Sequence, residues 1–388
     1  MRVSLLTTWG DTVCGIRDYS EHLVRALEGL VRVEVVPLDP ERLRDDDPSP
    51  YFRELGRALN GADLAHLQHE YSFFGWGFLP PAAGRPALLR PYWNYFFALR
   101  DEVQVPVVMT VHEVQQGEPA VRRRNLLLRA LQVRRQRRFH REVFRSAARC
   151  IVHSRAQQEL LAPKGVERRR IVVIPHGVPP PEEGADEGAP AVAGPGVLIG
   201  MIGFLGRRKG YLLALDALSG LPEAFRMVLI GGRHPRDAEG QYEEILARVR
   251  GLGLEGRVEV TGYLPPREMR ARIRGCALVL APQMEGFTSG SLALALSLGK
   301  PVVASDLDTN REIVERVPCL RLFRTGDAAD LRRAVRDVAE DPTMAQTLSR
   351  AAREYAARYA YERVAERTVR LYAEVLAEAA GGDRGGAR

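Results

Sequence analysis

The stretch from Val279 to Asp306, VLAPQMEGFTSGSLALALSLGKPVVASD, decides the fold of the C-terminal half of the chain. It runs from an apolar strand through a polar loop into an apolar helix, and after a glycine turn it ends in a second apolar strand. This order predicts parallel strands joined by a crossover helix. The loop carries one carboxylate, Glu285, and then a cluster of Thr, Ser and Gly at the predicted helix start. Backbone N–H donors and one acidic group are therefore expected side by side.

A second loop of the same kind lies upstream. Residues 203–210, GFLGRRKG, follow an apolar strand over 197–202 and open another helix. This loop presents three cations: Arg207, Arg208 and Lys209. Fixed positive charge and helix N-termini suit an anion, whereas a carboxylate accepts protons from sugar hydroxyls. The two loops together predict a site that holds a phosphate and recognises a sugar.

Strands and helices alternate on both sides of these loops. A Pro-, Gly- and acid-rich segment over 179–196 interrupts the alternation and is interpreted as a linker. Two doubly wound α/β domains are expected, with ligands at the carboxyl ends of the strands, in the cleft between the domains. A last helix over about 356–380 is expected to pack back on the first domain. The predicted strands span residues 3–7, 31–37, 64–68, 105–111, 150–153, 171–174, 197–202, 227–231, 258–261, 278–281 and 301–304, with helices from there to the end.

Composition limits the class of protein. The 388 residues are 45% hydrophobic and 27% charged, which is typical of a soluble globular chain of about two domains. No apolar run approaches the ~20 residues that span a bilayer, and the N-terminus is interpreted as a strand and not as a signal peptide. The four cysteines are far apart, which favours reduced thiols in the cytoplasm over a zinc site.

The positive charge is local. Residues 121–149 contain eleven arginines and one glutamate, a balance of +10, while the whole chain carries +7. Two interpretations stay open: a basic helix that rests on an anionic membrane surface or holds an anionic acceptor, and a solvated helix in an arginine-rich protein. Nucleic-acid binding is disfavoured because only Phe139 and Phe144 could stack on bases within this stretch.

Several motifs resemble those of the retaining glycosyltransferases of family 4. The pair Gly203 and Lys209-Gly210 is similar to the family's donor loop, and Glu285-Gly286-Phe287 is similar to the start of its acidic loop. Further similarities lie in GKPVVASD (299–306), VTGYL (260–264), IPHGV (174–178), Cys14-Gly15-Ile16 at a helix start, and Thr110-Val111-His112-Glu113. The resemblance covers nearly the whole chain and is strongest in its second half.

The resemblance implies a GT-B fold, with two Rossmann-like domains that face each other across a cleft. The domains would be an acceptor-side domain over 1–180, a nucleotide-sugar domain over 197–365, and a final helix and tail over 366–388. It further implies transfer of a sugar from a nucleotide diphosphate donor with retention of configuration. The acceptor would be lipid-linked, a polysaccharide or a small molecule in cell-envelope synthesis. No cofactor and no metal ion are expected.

Site residues follow from the matched motifs. The cations stabilise the charge that develops on the leaving diphosphate, and the carboxylate fixes the sugar hydroxyls. The expected catalytic residues are Lys209, Glu285, His112 and Arg207. The expected donor-binding residues are Gly15, Ile16, Gly203, Arg208, Phe287, Thr288, Ser289, Gly290 and Ser291. Outside the matched motifs, His69, Glu70 and Tyr71 follow the end of another predicted strand and are the acceptor-side candidates.

Two departures from the family pattern keep alternatives open. Ala293 stands where the family has a second Glu, and Phe204 stands where it commonly has Arg. A nucleotide-sugar-binding protein with weak or no transferase activity, and a sugar-nucleotide epimerase, are therefore alternatives. His112 could also be a core histidine, and the aromatic residues that follow His69 and Glu70, namely Tyr71, Phe73, Phe74 and Trp76, could simply belong to the core.

Overall fold

The computed structural model describes residues 1–10, 14–44, 47–74, 95–114, 134, 138, 140–181, 196–233, 240–286 and 289–382. The chain divides into two compact units. Unit 1 comprises Met1–Pro175 together with Tyr361–Arg388, and unit 2 comprises His176–Ala360. Unit 2 ends at Ala360, whereas the sequence predicts that the second domain ends at 365. The boundary lies earlier because the last helix belongs to unit 1 from its first residue.

Unit 1 contains a six-stranded sheet in the order β2-β1-β3-β4-β5-β6, and every pairing is parallel. The order reverses between β1 and β3, as in a doubly wound sheet. The strands are β1 (Arg2–Thr7), β2 (Arg32–Pro37), β3 (Leu64–His69), β4 (Val107–Val111), β5 (Arg149–Val152) and β6 (Ile171–Val173). The helices are α1 (Gly15–Leu27), α2 (Ser49–Ala58), α3 (Phe96–Arg100), α4 (Arg155–Leu161) and the last helix of the chain, α12 (Tyr361–Gly382).

The final helix α12 completes the core of unit 1. Helix α1 buries Tyr19, Leu23 and Leu27, which recur every four residues and so share one face. They belong to the same apolar cluster as Leu371 and Val375 of α12. Each such buried side chain contributes about 1.5–3 kcal/mol of transfer free energy.

Unit 2 repeats the architecture. Its six parallel strands follow the order β12-β11-β10-β7-β8-β9, which reverses between β7 and β10. The strands are β7 (Val197–Ile202), β8 (Phe225–Ile230), β9 (Val258–Val260), β10 (Leu278–Ala281), β11 (Val302–Ser305) and β12 (Leu320–Phe323). The helices are α5 (Tyr211–Ser219), α6 (Gln241–Gly251), α7 (Pro266–Arg274), α8 (Gly290–Ser297), α9 (Asp308–Arg316), α10 (Ala328–Glu340) and α11 (Pro342–Arg358).

The sheet of unit 2 is buried on both faces. Met227 and Leu229 of β8 belong to one apolar cluster, and Val228 and Ile230 belong to another. Successive side chains of a strand point to opposite faces, so the two clusters lie on opposite sides of the sheet. A parallel sheet with both faces covered requires such continuous apolar strands.

The predicted GT-B fold of two doubly wound parallel sheets is confirmed. Most predicted strands lie within one or two residues of the observed ones, but β12 was wrongly taken as part of a helical C-terminal region. Its four residues, LRLF, are too short to show a period, and Arg321 interrupts the apolar run. The last helix begins at Tyr361, not near 356, and most of the predicted linker (182–195) lies outside the described residues.

Candidate active site

The candidate site of unit 2 lies where the order of its strands reverses. A small cavity of about 20 Å³ opens at the carboxyl ends of β7 and β10. Its lining includes three polar side chains from the two predicted loops: Lys209, Ser289 and Ser291. Ligands of open parallel sheets bind at this reversal because the loops there diverge to opposite faces and leave a crevice.

Glycines shape the first loop. Gly203 ends β7 with a φ of +120°, and its carbonyl accepts a hydrogen bond of 2.9 Å from the buried Tyr211 hydroxyl. Gly210 has a φ of +75°, and a Cβ there would overlap the carbonyl oxygen of Pro282. Only glycine suits this position, both for its left-handed backbone and for the close approach of the β10 loop. The two loops are thereby held against each other.

Lys209 and the start of α8 form the anion-binding part of the site. Lys209 Nζ donates to Ser289 Oγ over 3.3 Å, and Ser289 is the N-cap residue of α8. Its side chain makes no capping hydrogen bond to the helix, and the first N–H groups of a helix lack intrahelical acceptors. Burial and, to a smaller extent, the neighbouring Arg208 guanidinium together lower the pKa of Lys209 to about 8. An ammonium group in such surroundings is stabilised by an anionic ligand.

Glu285 and Arg208 bridge the two loops on the surface. Arg208 Nε lies 3.1 Å from Glu285 Oε1, and both side chains are more than half exposed, at 56% and 57%. The backbone supports the same contact, since Met284 N donates to Arg208 O over 3.1 Å. The structure thus brings the predicted carboxylate and one predicted cation together. An exposed pair of this kind exchanges partners at little cost, so both groups can turn to a ligand.

Arg207 points to a different element. Its Nε lies 2.7 Å from Glu244 Oε2, and its backbone N–H donates to Gln241 Oε1 over 2.8 Å. Both partners lie on α6, which the sequence analysis did not include in the site. Of the two arginines that were candidates for the diphosphate, Arg208 is therefore the one beside the acidic loop.

Of the remaining predicted residues of unit 2, Ser289, Gly290 and Ser291 lie at the start of α8. The first residue of the helix is Gly290, and a Cβ on Gly203 would lie 3.3 Å from Ser291 Oγ. Phe287 and Thr288 lie outside the described residues. Ala293 is only 7% exposed and belongs to the apolar core.

Helix α1 of unit 1 begins at the predicted glycine loop. Cys14 is its N-cap residue, Gly15 is exposed, and a Cβ on Gly15 would meet no atom within 4 Å. Cys14 provides no side-chain cap, so the first N–H groups of α1, including those of Gly15 and Ile16, depend on other acceptors. This arrangement is suited to an anion but does not by itself make a site.

His112 follows β4 directly and is held on several sides. Its Nε2 lies 2.7 Å from Gln68 Oε1, and its backbone N–H donates to His69 O over 3.2 Å. The ring packs edge-on against Tyr19, with 4.9 Å between the ring centroids. The side chain is half-buried at the carboxyl edge of the sheet. This position is compatible with both interpretations of His112, and its catalytic role stays a prediction.

The acceptor-side candidates are placed differently from one another. His69 is only 1% exposed, stacks on Phe74 and contacts the rings of Tyr71 and Phe144. Burial lowers the pKa of His69 to about 3, so the ring is neutral. His69 and Tyr71 thus belong to an aromatic core, the second of the two interpretations given above. Glu70 is half-buried, and its acceptor role stays a prediction.

Sequence reasoning missed a buried polar cluster in unit 1. His66 and Gln68 lie on β3, in which all six residues are buried, and they contact Thr110 and His112 from the β4 segment. A signal was present: polar residues at alternate positions of a buried strand share one face and need partners from the next strand.

Three further observations concern metal ligands, membrane-spanning helices and the basic stretch. Among the described residues, no group of three His, Cys, Asp or Glu side chains could hold a metal ion. Among the same residues, no helix is long and apolar enough to cross a bilayer. In the basic stretch, residues 121–133, 135–137 and 139 are outside the described part of the chain. Arg138 pairs with Glu142, and Arg149 pairs with Glu378.

Two family models match the chain, one in each half. The model of the Glycosyltransferase Family 4 matches residues 3–181, and the model of the glycosyl transferases group 1 matches residues 188–355. The first match falls within unit 1 except for its last residues, and the second falls entirely within unit 2.

Curated relatives are similar over part of their length. A 2-deoxystreptamine glucosyltransferase of Streptomyces kanamyceticus is 30% identical over 225 residues, which are 55% of this chain and 56% of the relative. A phosphatidyl-myo-inositol mannosyltransferase of Mycobacterium leprae is 30% identical over 244 residues, 61% of each chain. The matched region thus spans little more than half the length of these relatives.

The fold is similar to that of solved glycosyltransferases. The structure of HepE from Anabaena in complex with UDP-glucose superimposes with a TM-score of 0.68, covers 96% of this chain and 100% of its own, and is 18% identical. At this identity the similarity shows the fold alone. The two matched models and the two Rossmann-like sheets show that the chain belongs to the group 1 glycosyltransferases of the GT-B fold.

Proposed function

We propose that the protein transfers a sugar from a nucleotide diphosphate sugar to an acceptor. The observation that carries this proposal is the contact of Lys209 Nζ with Ser289 Oγ, 3.3 Å apart, at the N-terminus of α8. A half-buried ammonium beside helix N–H groups that lack intrahelical acceptors suits a diphosphate, whose charge increases as it leaves the sugar. In this proposal Glu285, at the next loop, accepts hydrogen bonds from the hydroxyls of the same sugar.

In the proposed reaction, the bond between the anomeric carbon and the diphosphate oxygen breaks, and a bond to the acceptor oxygen forms. The acceptor proton goes to the leaving diphosphate, so the products are a glycosylated acceptor and a nucleoside diphosphate. We propose that the configuration is retained and that no metal ion or cofactor takes part, with Lys209 and Arg208 carrying the charge.

The donor and the acceptor are proposed from the relatives and from charge. HepE binds UDP-glucose, so UDP-sugars are the first donors to test. The mannosyltransferase relative is named for a phosphatidyl lipid, and residues 121–149 carry a charge of +10. We therefore propose an anionic or lipid-linked acceptor, with a protein that meets the membrane surface from the cytoplasm through this stretch.

The test is a panel of nucleotide sugars, each incubated with and without EDTA and with lipid and soluble acceptors. Release of a nucleoside diphosphate together with a glycosylated product supports transfer, and the anomeric configuration of that product tests retention. Binding without release would instead support a nucleotide-sugar-binding protein, and an epimerised sugar would support the other alternative. Sedimentation with anionic vesicles at two salt concentrations tests the membrane contact, which salt should weaken.

Lys300 provides a matched control for Lys209. It lies in the same unit, its Nζ donates to Arg274 O over 2.8 Å, and burial lowers its pKa too. Lys209→Met should lower turnover at least ~100-fold, as expected for a lost transition-state contact. Lys300→Met should affect stability but not turnover per folded molecule. Equal turnover in the two variants would refute the role of Lys209.

A further inference from the structure

The cavity of unit 2 contains a polar side chain that has no part in the proposed function so far. Gln283 follows β10 and lines the cavity together with Lys209, Ser289 and Ser291. It is only 9% exposed. Within the described part of the chain, its side chain makes no hydrogen bond. Because buried polar groups normally have partners, an amide in this position is expected to bind a group that enters the cavity.

The two loops of the site run antiparallel where they meet. A Cβ on Gly210 would overlap the carbonyl oxygen of Pro282, so the two backbones are in contact at this point. Two residues away on each loop, Met284 N donates to Arg208 O over 3.1 Å. The first loop is followed backwards from one contact to the other, and the second loop is followed forwards.

Lys209 and Gln283 lie between these two contacts and are therefore opposite each other. Opposite residues of an antiparallel pair place their side chains on the same side, which agrees with the presence of both residues in the lining of the cavity. The Lys209 ammonium has three donors, and Ser289 Oγ accepts from one of them over 3.3 Å. The ammonium and the Gln283 amide can thus donate to the same atom.

The polar groups of the cavity suit one kind of occupant. Apart from the amide of Gln283, the side chains of the described lining residues provide one ammonium and two hydroxyls, and none of these residues is acidic. The other lining residues are apolar, Met201 and Leu280 among them. A group that enters such a cavity is expected to accept hydrogen bonds and to carry negative charge.

The size of the cavity limits the occupant to about one atom. Its volume of about 20 Å³ is little more than the ~10–15 Å³ that a single water needs. A whole phosphate group, a ribose or a hexose does not fit within it, whereas one oxygen atom does. A non-bridging oxygen of a diphosphate has the required size, charge and acceptor character.

We propose that the cavity holds one non-bridging oxygen of the donor's diphosphate, and that Gln283 is a binding residue that donates to this oxygen through its amide Nε2. The inference rests on the proposed function, in which Lys209 binds the diphosphate. The ammonium supplies positive charge, and the amide adds a neutral donor on the opposite loop. The nucleoside and the sugar then lie outside the cavity.

Two substitutions of Gln283 separate this contact from packing. Leucine has a similar volume but no donor, so the affinity for UDP should fall at least about tenfold in Gln283→Leu, as for a lost hydrogen bond to a charged group. Glutamate keeps the size of the side chain, but its carboxylate repels the diphosphate and can pair with Lys209. In Gln283→Glu the affinity should therefore fall further, while the free energy of unfolding stays equal or rises.

The measurement is calorimetric titration of the full chain with UDP, GDP, ADP and inorganic pyrophosphate. Pyrophosphate provides the same non-bridging oxygens without a base or a sugar, and urea titrations report the stability of each variant. Gln346, which is exposed on α11 of the same unit, is the matched control. Gln346→Leu and Gln346→Glu make the same changes of polarity and charge outside the cavity and should keep the affinities within about twofold.

The possible outcomes distinguish this proposal from the proposed function. Affinities that Gln283→Leu and Gln283→Glu leave unchanged would overturn the role of Gln283, even if the protein transfers sugar. Binding of none of the four probes to the wild type would overturn it as well. Diphosphate affinity that depends on Gln283, together with absent sugar transfer, would instead support the oxygen-binding cavity and contradict the transferase.

Discussion

The lowered pKa of Lys209 makes nucleotide binding depend on pH in a way that can be calculated. Its pKa is about 8 in the unliganded protein, because burial and Arg208 disfavour the ammonium form. If the diphosphate binds only to that form, the apparent dissociation constant equals the intrinsic constant divided by the fraction of Lys209 that is charged. That fraction is about 0.9 at pH 7 and about 0.1 at pH 9, so Kd should rise about tenfold, or about 1.4 kcal/mol.

The assay is calorimetric titration with UDP at constant ionic strength between pH 7 and 9. The phosphates of UDP are ionised throughout this range because their last pKa is near 6. Lys209→Arg is the matched control, since an arginine stays charged and meets the same ligand. The ratio of the two dissociation constants removes any ionisation of UDP itself and should change about tenfold from pH 7 to pH 9.

Proton uptake gives an independent measure. The bound diphosphate raises the pKa of Lys209 again, so binding at pH 8 should take up about half a proton in the wild type and none in Lys209→Arg. The uptake is read from the dependence of the binding enthalpy on the buffer. Parallel pH profiles for the two proteins, with no difference in proton uptake, would show that Lys209 does not meet the diphosphate.

Three further predictions concern the carboxylate, a glycine and a buried histidine. Glu285→Ala should lower turnover at least ~100-fold while UDP binding stays within about threefold. In the proposed site the carboxylate binds the sugar hydroxyls, and Arg208 can still contact the diphosphate without it. A matching loss of UDP affinity would contradict this assignment. Gly210→Ala should lower the free energy of unfolding by at least ~3 kcal/mol in urea titrations, because its Cβ would overlap the Pro282 carbonyl at a φ of +75°. Gly251→Ala, at the end of α6 with no atom near its Cβ, is the control and should leave stability equal or higher. His69 has a folded pKa of about 3, below its unfolded value of 6.5, so it favours folding above pH 6.5 and this contribution is lost as the pH falls. Between pH 7 and pH 5 His69 should therefore cost about 2 kcal/mol of stability, and His69→Phe should remove that part of the pH dependence; an equal loss in the variant would contradict the burial argument.

The sequence by itself determined the sheets and the chemistry of their loops. Apolar strands of four to six residues, each followed by a loop and a helix, allow few topologies, because crossovers between parallel strands are short and of one hand. The glycine and cation pattern over 203–210 and the acidic loop at Glu285 could be predicted to lie at one edge, because parallel strands all end there. The family resemblance added the roles of these groups, and the family models agree with it.

Only the tertiary structure decided which side chains meet. The sequence gives no reason to distinguish Arg207 from Arg208. In the structure, Arg207 contacts Gln241 and Glu244 of α6, whereas Arg208 pairs with Glu285. Likewise, Tyr372 reaches His66 only because α12 packs in the core of unit 1, far along the chain from β3. The hydrophobic periodicity of a helix or strand indicates which of its faces is buried. Which side chain contacts which depends instead on the packing of elements that are distant in sequence, and a local sequence pattern does not contain that information.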